Sequence, residues 1–339
     1  MLVMVMTGCS QHIDSSEPVQ ITLGAESVST RAHINKLSDL SGRSFGVLAF
    51  DKYSEDLTAD DRLMLRNAKA VCKVTGNRGL LNLAQTWFYP LGGKEEFVFY
   101  SYYPYAEDAY EQSETQASIT VPVASTYDVL GAKAEVENGF SGYYILTGGK
   151  QPSFVYQHKT ASISFKACKD TEDITVNIVN IVLANVPTKA KLCVADIENP
   201  DNVGTFIGYS DYMDKQATNL AGSGGNLSSF EFTTTPKDIT RPIYIAPCKE
   251  LKIKADVRIG GNTNRNWIEF IIDPSQLDII EGENGEKEFL AGHHYTFTLK
   301  VLAEGTDPTF TVSKDSEEDV LDFEENKWQD AFTGTNGND

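Results

Sequence analysis

Cys9 is the residue whose neighbours point most directly to a reaction. A short apolar run ends in Met6-Thr7-Gly8-Cys9. A small residue directly before a cysteine, with an apolar residue upstream, is what a lipoprotein-processing peptidase reads. Cys9 is therefore expected to be lipidated and to become the first mature residue, with residues 1–8 removed as a signal segment. No Lys or Arg precedes the run, so the true start codon is expected upstream of Met1.

Other chemistry is hard to find. A nucleophile elbow needs Gly-x-Ser-x-Gly after a strand, a zincin needs His-Glu-x-x-His on a helix, and a phosphate cradle needs Gly-x-x-x-x-Gly-Lys-Ser/Thr. None of these occurs. Gly224-Gly225 and Gly260-Gly261 sit in turn contexts, not between a strand and a helix. With 5 histidines in the chain, acid–base work would fall to carboxylates, which no spacing singles out. Cys72, Cys168, Cys193 and Cys248 form no Cys-x-x-Cys pair, and His158 and His293-His294 lack ligand-like spacing, so no metal site, catalytic residue or cofactor is expected. The four thiols read first as small buried apolar groups and second as candidates for bridges.

The net charge of −19, from 48 acidic and 29 basic residues, would repel a phosphate backbone, which excludes nucleic acid as a partner. The dense acidic cluster from Asp315 to Glu325 matches no calcium loop. After the N-terminal run, no window approaches the roughly 18 apolar residues of a membrane span, so the chain is expected to be anchored, not threaded.

The elements that must carry any function are strands. Residues 9–18 are small and polar and read as a tether. From Val19 onward, short runs rich in β-branched and aromatic residues alternate with Gly, Asn, Asp and Pro clusters. Strands are predicted at Val19–Leu23, Phe45–Phe50, Phe97–Tyr103, Ser118–Val123, Tyr143–Leu146, Ser153–Tyr156, Ala161–Ala167, Ile174–Leu183 and Lys191–Val194. Others are predicted at Thr205–Tyr209, Phe230–Thr233, Pro242–Ala246, Leu251–Ile259, Trp267–Ile272, His294–Leu302 and Phe310–Val312. Helix is predicted over Ala59–Ala70, with a single turn at Pro274–Leu277. Such a chain must stack its half-apolar sheets, which makes it all-β. Gly139 to Pro152 reads as the seam between an N-terminal β-sandwich, residues 19–150, and a C-terminal one, residues 151–332, followed by a polar tail at 333–339. The aromatics from Trp87 to Tyr105 read mainly as inter-sheet core, with a sugar-stacking platform as the alternative.

Taken in order, several segments resemble the fimbrillin-like, or major fimbrial subunit-like, family of surface lipoproteins that build type V pili in anaerobic Gram-negative bacteria. They are the Cys9 motif, Val19-Gln20-Ile21-Thr22-Leu23-Gly24-Ala25 before Thr30-Arg31-Ala32, and Phe45-Gly46-Val47-Leu48-Ala49-Phe50. Next come Trp87 and Tyr89-Pro90 ahead of Phe97 to Pro104, then Asp128-Val129-Leu130-Gly131-Ala132 and Phe154 to Phe165. Leu290 to Leu299 and Lys327-Trp328 complete the set. The resemblance spans essentially the whole chain. It implies two tandem transthyretin-like Greek-key β-sandwich domains and an outer-membrane lipoprotein exposed at the cell surface. It also implies assembly with other pilus subunits by β-strand addition: an arginine-specific protease removes an N-terminal strand, and a neighbour's strand fills the groove. On that reading Val19, Ile21 and Leu23 are the plug residues of the removable strand, Arg31 is the cleavage position, and Arg43 is the alternative. The polar end of the chain departs from a long donor strand, although Asp319-Val320-Leu321-Asp322-Phe323 could supply a short one. A surface glycan-binding lipoprotein is the competing expectation.

Overall fold

The computed structural model describes residues 18–28, 37–58, 63–76, 78–91, 95–173, 175–217, 232–259, 267–276, 287–304 and 307–318. Nine strands come first: β1 (Leu23–Val28), β2 (Ser44–Asp51), β3 (Leu63–Thr75), β4 (Arg78–Leu83), β5 (Phe97–Tyr103), β6 (Tyr110–Gln112), β7 (Gln116–Pro122), β8 (Leu130–Ala134) and β9 (Ser153–His158). Eleven follow: β10 (Ala161–Lys169), β11 (Val176–Val186), β12 (Lys189–Asp196), β13 (Phe206–Ser210), β14 (Met213–Gln216), β15 (Lys237–Asp238), β16 (Ile243–Ile245), β17 (Leu251–Ile259), β18 (Trp267–Ile272), β19 (His294–Glu304) and β20 (Asp307–Glu318). Among the described residues one short α-helix, α1 (Gly142–Leu146), accompanies them. The protein is thus mostly β, with almost no helix.

Seven strands close into a barrel in the order β1-β4-β3-β2-β5-β8-β9. Its interior is filled by alternate residues of each strand, among them Phe45, Val47, Phe99, Leu130, Phe154 and Tyr156. The opposite faces of β2 and β5 are apolar too. Leu48, Phe50, Tyr100 and Tyr102 pack with Ile119 and Val121 of β7 and Leu192 and Val194 of β12. Those last two strands belong to a second sheet, β13-β12-β7-β6. A third core lies between the sheets β15-β10-β19-β20 and β14-β11-β17-β18. There Ile163 and Phe165 of β10, with Phe297 and Leu299 of β19, meet Ile181 of β11 and Ile253 and Val257 of β17.

Three sequence expectations are corrected, one of them because Phe232 and Thr233, the described part of the strand expected at Phe230–Thr233, lie in no strand. The helix expected over Ala59–Ala70 is strand from Leu63 onward. The alternation of β3 is broken by a bulge at Asn67, whose φ is +48°, so buried Leu65 and buried Ala70 and Cys72 fall out of phase. Asn67 fixes the bulge: its amide donates to the carbonyls of Ala106 and Glu107, and its carbonyl accepts from the Tyr102 hydroxyl at 2.6 Å. The strand expected at Tyr143–Leu146 is α1. Ser141 stands at its N-cap in extended geometry and accepts a hydrogen bond from the Tyr144 N–H at 3.1 Å.

Strand pairing joins residues on either side of Gly139–Pro152. Beyond it, β9 pairs with β8 and β1 of the barrel, and β12 pairs with β7 over Lys189↔Pro122 to Asp196↔Gln116. Cys72, Cys168, Cys193 and Cys248 are free thiols. No helix among the described residues is long and apolar enough to cross a membrane.

Candidate functional site: the leading strand and its groove

β1 is the strand that closes the barrel. It runs antiparallel to β4, with Leu23↔Leu81 and Ala25↔Gly79, and parallel to β9, with Gly24↔Ser153 and Ala25↔Phe154. Ile21, Leu23 and Ala25 point inward and are 3%, 1% and 1% exposed, while Gln20 and Thr22 face solvent. This is the period-two pattern of a half-buried strand. Val19 is half-buried and packs against the same core.

Hydrogen bonds extend the seat upstream of the ladder. The Ile21 N–H donates to the Trp87 carbonyl at 2.9 Å, and the Tyr89 N–H donates to the Val19 carbonyl at 2.9 Å. The Gly24 N–H donates to the Pro152 carbonyl, and the Gln151 side-chain amide donates to the Gln20 carbonyl at 3.1 Å. Two glycines let backbones approach. A Cβ at Gly79 would stand 2.7 Å from the Ala25 carbonyl oxygen, and one at Gly24 would stand 2.6 Å from Ser153 Oγ.

The far wall, β9, is pinned by a buried polar knot. His158 Nδ1 contacts the Asp128 carboxylate, whose other oxygen accepts from the Thr160 hydroxyl at 2.6 Å. Asp128 and Thr160 are each 2% exposed. The side chains that meet the leader inside the barrel are mainly apolar or phenolic. Burial raises the Tyr89 and Tyr156 phenols and pushes the Cys72 thiol up to about 11.

The positions expected from sequence fare unequally. Ile21 and Leu23 lie inside the barrel and Val19 at its margin, but the ladder starts later than expected, at Leu23, and runs on to Val28. Ala25 completes the inward row, and the alternation Ile21-Thr22-Leu23-Gly24-Ala25 carried that signal. The contributions of Gly79 and of residues 151–154 come from distant sequence and had no local signature. Arg43 is held rather than presented. Its Nε donates to the Asp39 carbonyl at 2.6 Å, one terminal nitrogen donates to the Tyr103 hydroxyl at 2.7 Å, and the guanidinium lies 5.4 Å from the Tyr103 ring centroid. Cys9 and Arg31 lie outside the described residues, as does the segment Asp319–Phe323.

Most of the aromatic stretch from Trp87 to Tyr105 is core: Tyr89, Phe97, Phe99, Tyr100, Tyr102 and Tyr103 are buried, whereas Phe88 is 46% exposed and Trp87 and Tyr105 are half-buried. Among the described residues, no group of three His, Cys, Asp or Glu side chains could hold a metal ion.

With this barrel and its inserted first strand in view, the fimbrillin-like family profile matches residues 30–314. The chain belongs to the fimbrillin-like family. Members are structural and adhesive proteins of fimbriae at the cell surface, associated with other pilus subunits, and not enzymes. The chain is similar in fold to a solved fimbrial protein from Bacteroides vulgatus, at 14% identity and a TM-score of 0.54, covering 88% of this chain and 99% of that one. It is also similar to a solved structure from Bacteroides uniformis assigned to cell adhesion, at 18% identity and a TM-score of 0.51, covering 88% and 97%. No curated protein matches significantly.

Proposed function

We propose that this fimbrillin-like protein is a pilus subunit, in a stalk, tip or anchor role, that is held to the outer membrane through a lipid on Cys9 and assembles by protease-triggered strand exchange. An arginine-specific protease cuts after Arg31, and β1 leaves with the segment that precedes it. A strand from a neighbouring subunit then takes its place. On this reading the barrel with the β13-β12-β7-β6 sheet packed on it, and the sandwich of β15-β10-β19-β20 against β14-β11-β17-β18, are the two tandem transthyretin-like units of the family.

The observation that carries the reading is the position of β1. It closes the barrel, buries Leu23 and Ala25 in line with Ile21 just upstream, and ends at Val28, three positions before Arg31. Its loss would leave β4 and β9 as two facing edges with unpaired N–H and C=O groups over an open apolar core, the arrangement that accepts a strand from another chain. Head-to-tail filling of this kind does not close on itself and yields a filament. Arg43 is the poorer cut site because its side chain is engaged with Asp39 and Tyr103.

Incubating the purified precursor with an arginine-specific protease should give a single clip after Arg31, then ladders of oligomers on unboiled gels, and neither in Arg31→Ala. A clipped chain that stays monomeric, or a precursor that resists the protease, would refute the reading.

A further inference from the structure

We propose that the cleft formed by the β11–β12 turn, the β13–β14 turn and the segment after β16 is a binding site for a neutral saccharide. The cleft has a volume of about 340 Å³ and a floor that includes Val186, Ala246 and Cys248. At its mouth stand two tyrosines, Tyr209 and Tyr212, 41% and 54% exposed. Asn185, Glu250 and Lys252 supply polar groups to the same lining.

Three features argue for this occupant. First, the loops are built into unusual backbone. Asn185 has φ +51° and sits where the β11–β14 register shifts between Leu183 and Val186, with its N–H donating to Asp214 Oδ1 at 2.9 Å. Asp211, between the two tyrosines, has φ +54°. Asn and Asp are the non-glycine residues that take the left-handed conformation most readily, so these turns hold a defined backbone geometry at the cleft. Four non-glycine residues have positive φ among those described, and two of them flank this cleft.

Second, the rim carries an opposed pair of charges. Glu250 and Lys252 lie 4.0 Å apart and offset each other, and Glu288 adds one further carboxylate near Tyr209 and Cys248. The chain's charge of −19 further opposes an anionic ligand. Third, the shape suits one or two sugar rings, since the volume is at the low end of the roughly 300–1,000 Å³ of small-molecule sites. An aromatic face carries negative quadrupole density. The C–H groups on one side of a pyranose are weakly positive, so exposed tyrosines can stack on that side while hydroxyls reach Asn185 and Glu250. Burial raises the Tyr209 phenol, which keeps that ring neutral.

This inference goes beyond strand exchange, because the uncleaved monomer already has the cleft. The test uses the full uncleaved chain. Saturation-transfer NMR is recorded with galactose, glucose, N-acetylglucosamine and lactose at about 10 mM, a level that reveals affinities in the millimolar range. Transfer is expected to the ring protons of at least one of these sugars. It should weaken by about tenfold or more in Tyr212→Ala, an exposed position, with an unchanged melting temperature. Tyr209 also packs on Phe206, so Asn185→Gly is the second variant: it removes the amide while tolerating the positive φ. The proposal is overturned by no transfer to any of the four sugars, by transfer that survives both variants, or by stronger transfer to glucuronate, recorded alongside as the anionic control. Strand-exchange assays on the same variants are independent of each of these outcomes.

Discussion

Leu23→Ala should loosen the leading strand without unfolding the barrel. Leu23 is 1% exposed, pairs with Leu81 on β4, and lies in the core that holds Phe45 and Phe154. Truncating such a leucine costs the transfer free energy of three carbons plus the cavity left behind, about 2–5 kcal/mol, and about 3 kcal/mol is a reasonable centre. If β1 detaches as a unit, that cost falls on the detachment equilibrium. At 1.4 kcal/mol per factor of ten, the population with β1 out rises about 100-fold. Hydrogen exchange reads this directly, because the amides of Ile21 and Gly24 are protected only while they donate to Trp87 and Pro152. Their exchange should quicken about 100-fold in Leu23→Ala and stay within a few-fold of wild type in Thr22→Ala, whose side chain faces solvent. Unchanged protection at Gly24 would refute the reasoning. So would an equal rise at Phe99 and Tyr100 of β5, which would mean that the barrel opens as a whole.

Four further outcomes are expected. Gly79→Val places a Cβ 2.7 Å from the Ala25 carbonyl oxygen, and neither backbone can yield easily, so thermal melts should show a loss of about 1–3 kcal/mol. Arg43→Ala should lower stability by about 1–2 kcal/mol in urea titrations by removing two hydrogen bonds, yet leave the protease clip in place. Burial lowers the Lys159 ammonium to about 8 in the folded chain against an ordinary 10.5. The unfolded chain therefore binds more protons between those values, and stability rises with pH across that window. Melting temperatures taken between about pH 7 and pH 10 should show wild type gaining on Lys159→Met as pH rises. Burial also takes the Cys193 thiol to about 11, as it does Cys72, so iodoacetamide near pH 8 should label both only after denaturation, as mass spectrometry would show.

The strands that sequence alone located are those whose neighbours left local periodicity intact. Phe45–Phe50, Phe97–Tyr103, Ala161–Ala167 and Trp267–Ile272 all fall in observed strands. β3 was hidden because Asn67 turns its backbone left-handed and shifts the inward face by one residue, which leaves apolar spacing that resembles a helix. α1 was hidden because aromatic and β-branched residues at Tyr143–Ile145 favour strand, while the deciding contact is the Ser141 cap. Ile21 and Leu23 could be picked out as inward-facing because alternation is a local property. That they complete a ring between β4 and β9 could not, because the partners Leu81 and Phe154 are separated from them by long stretches of chain. The Tyr209–Tyr212 cleft was likewise illegible, since three separate loops build it.

The pairing of β1 with β9, and of β7 with β12, also governs the order of events when the polypeptide emerges N-terminus first. Leu23–Val28 gains its second flanking partner only when Ser153–His158 has appeared, and Gln116–Pro122 waits for Lys189–Asp196. Closing such distant loops before any reward is slow. The early ribbons therefore stay unsatisfied and adhesive for as long as it takes to deliver most of the first two hundred or so residues, an interval in which wrong pairings compete with the native ones.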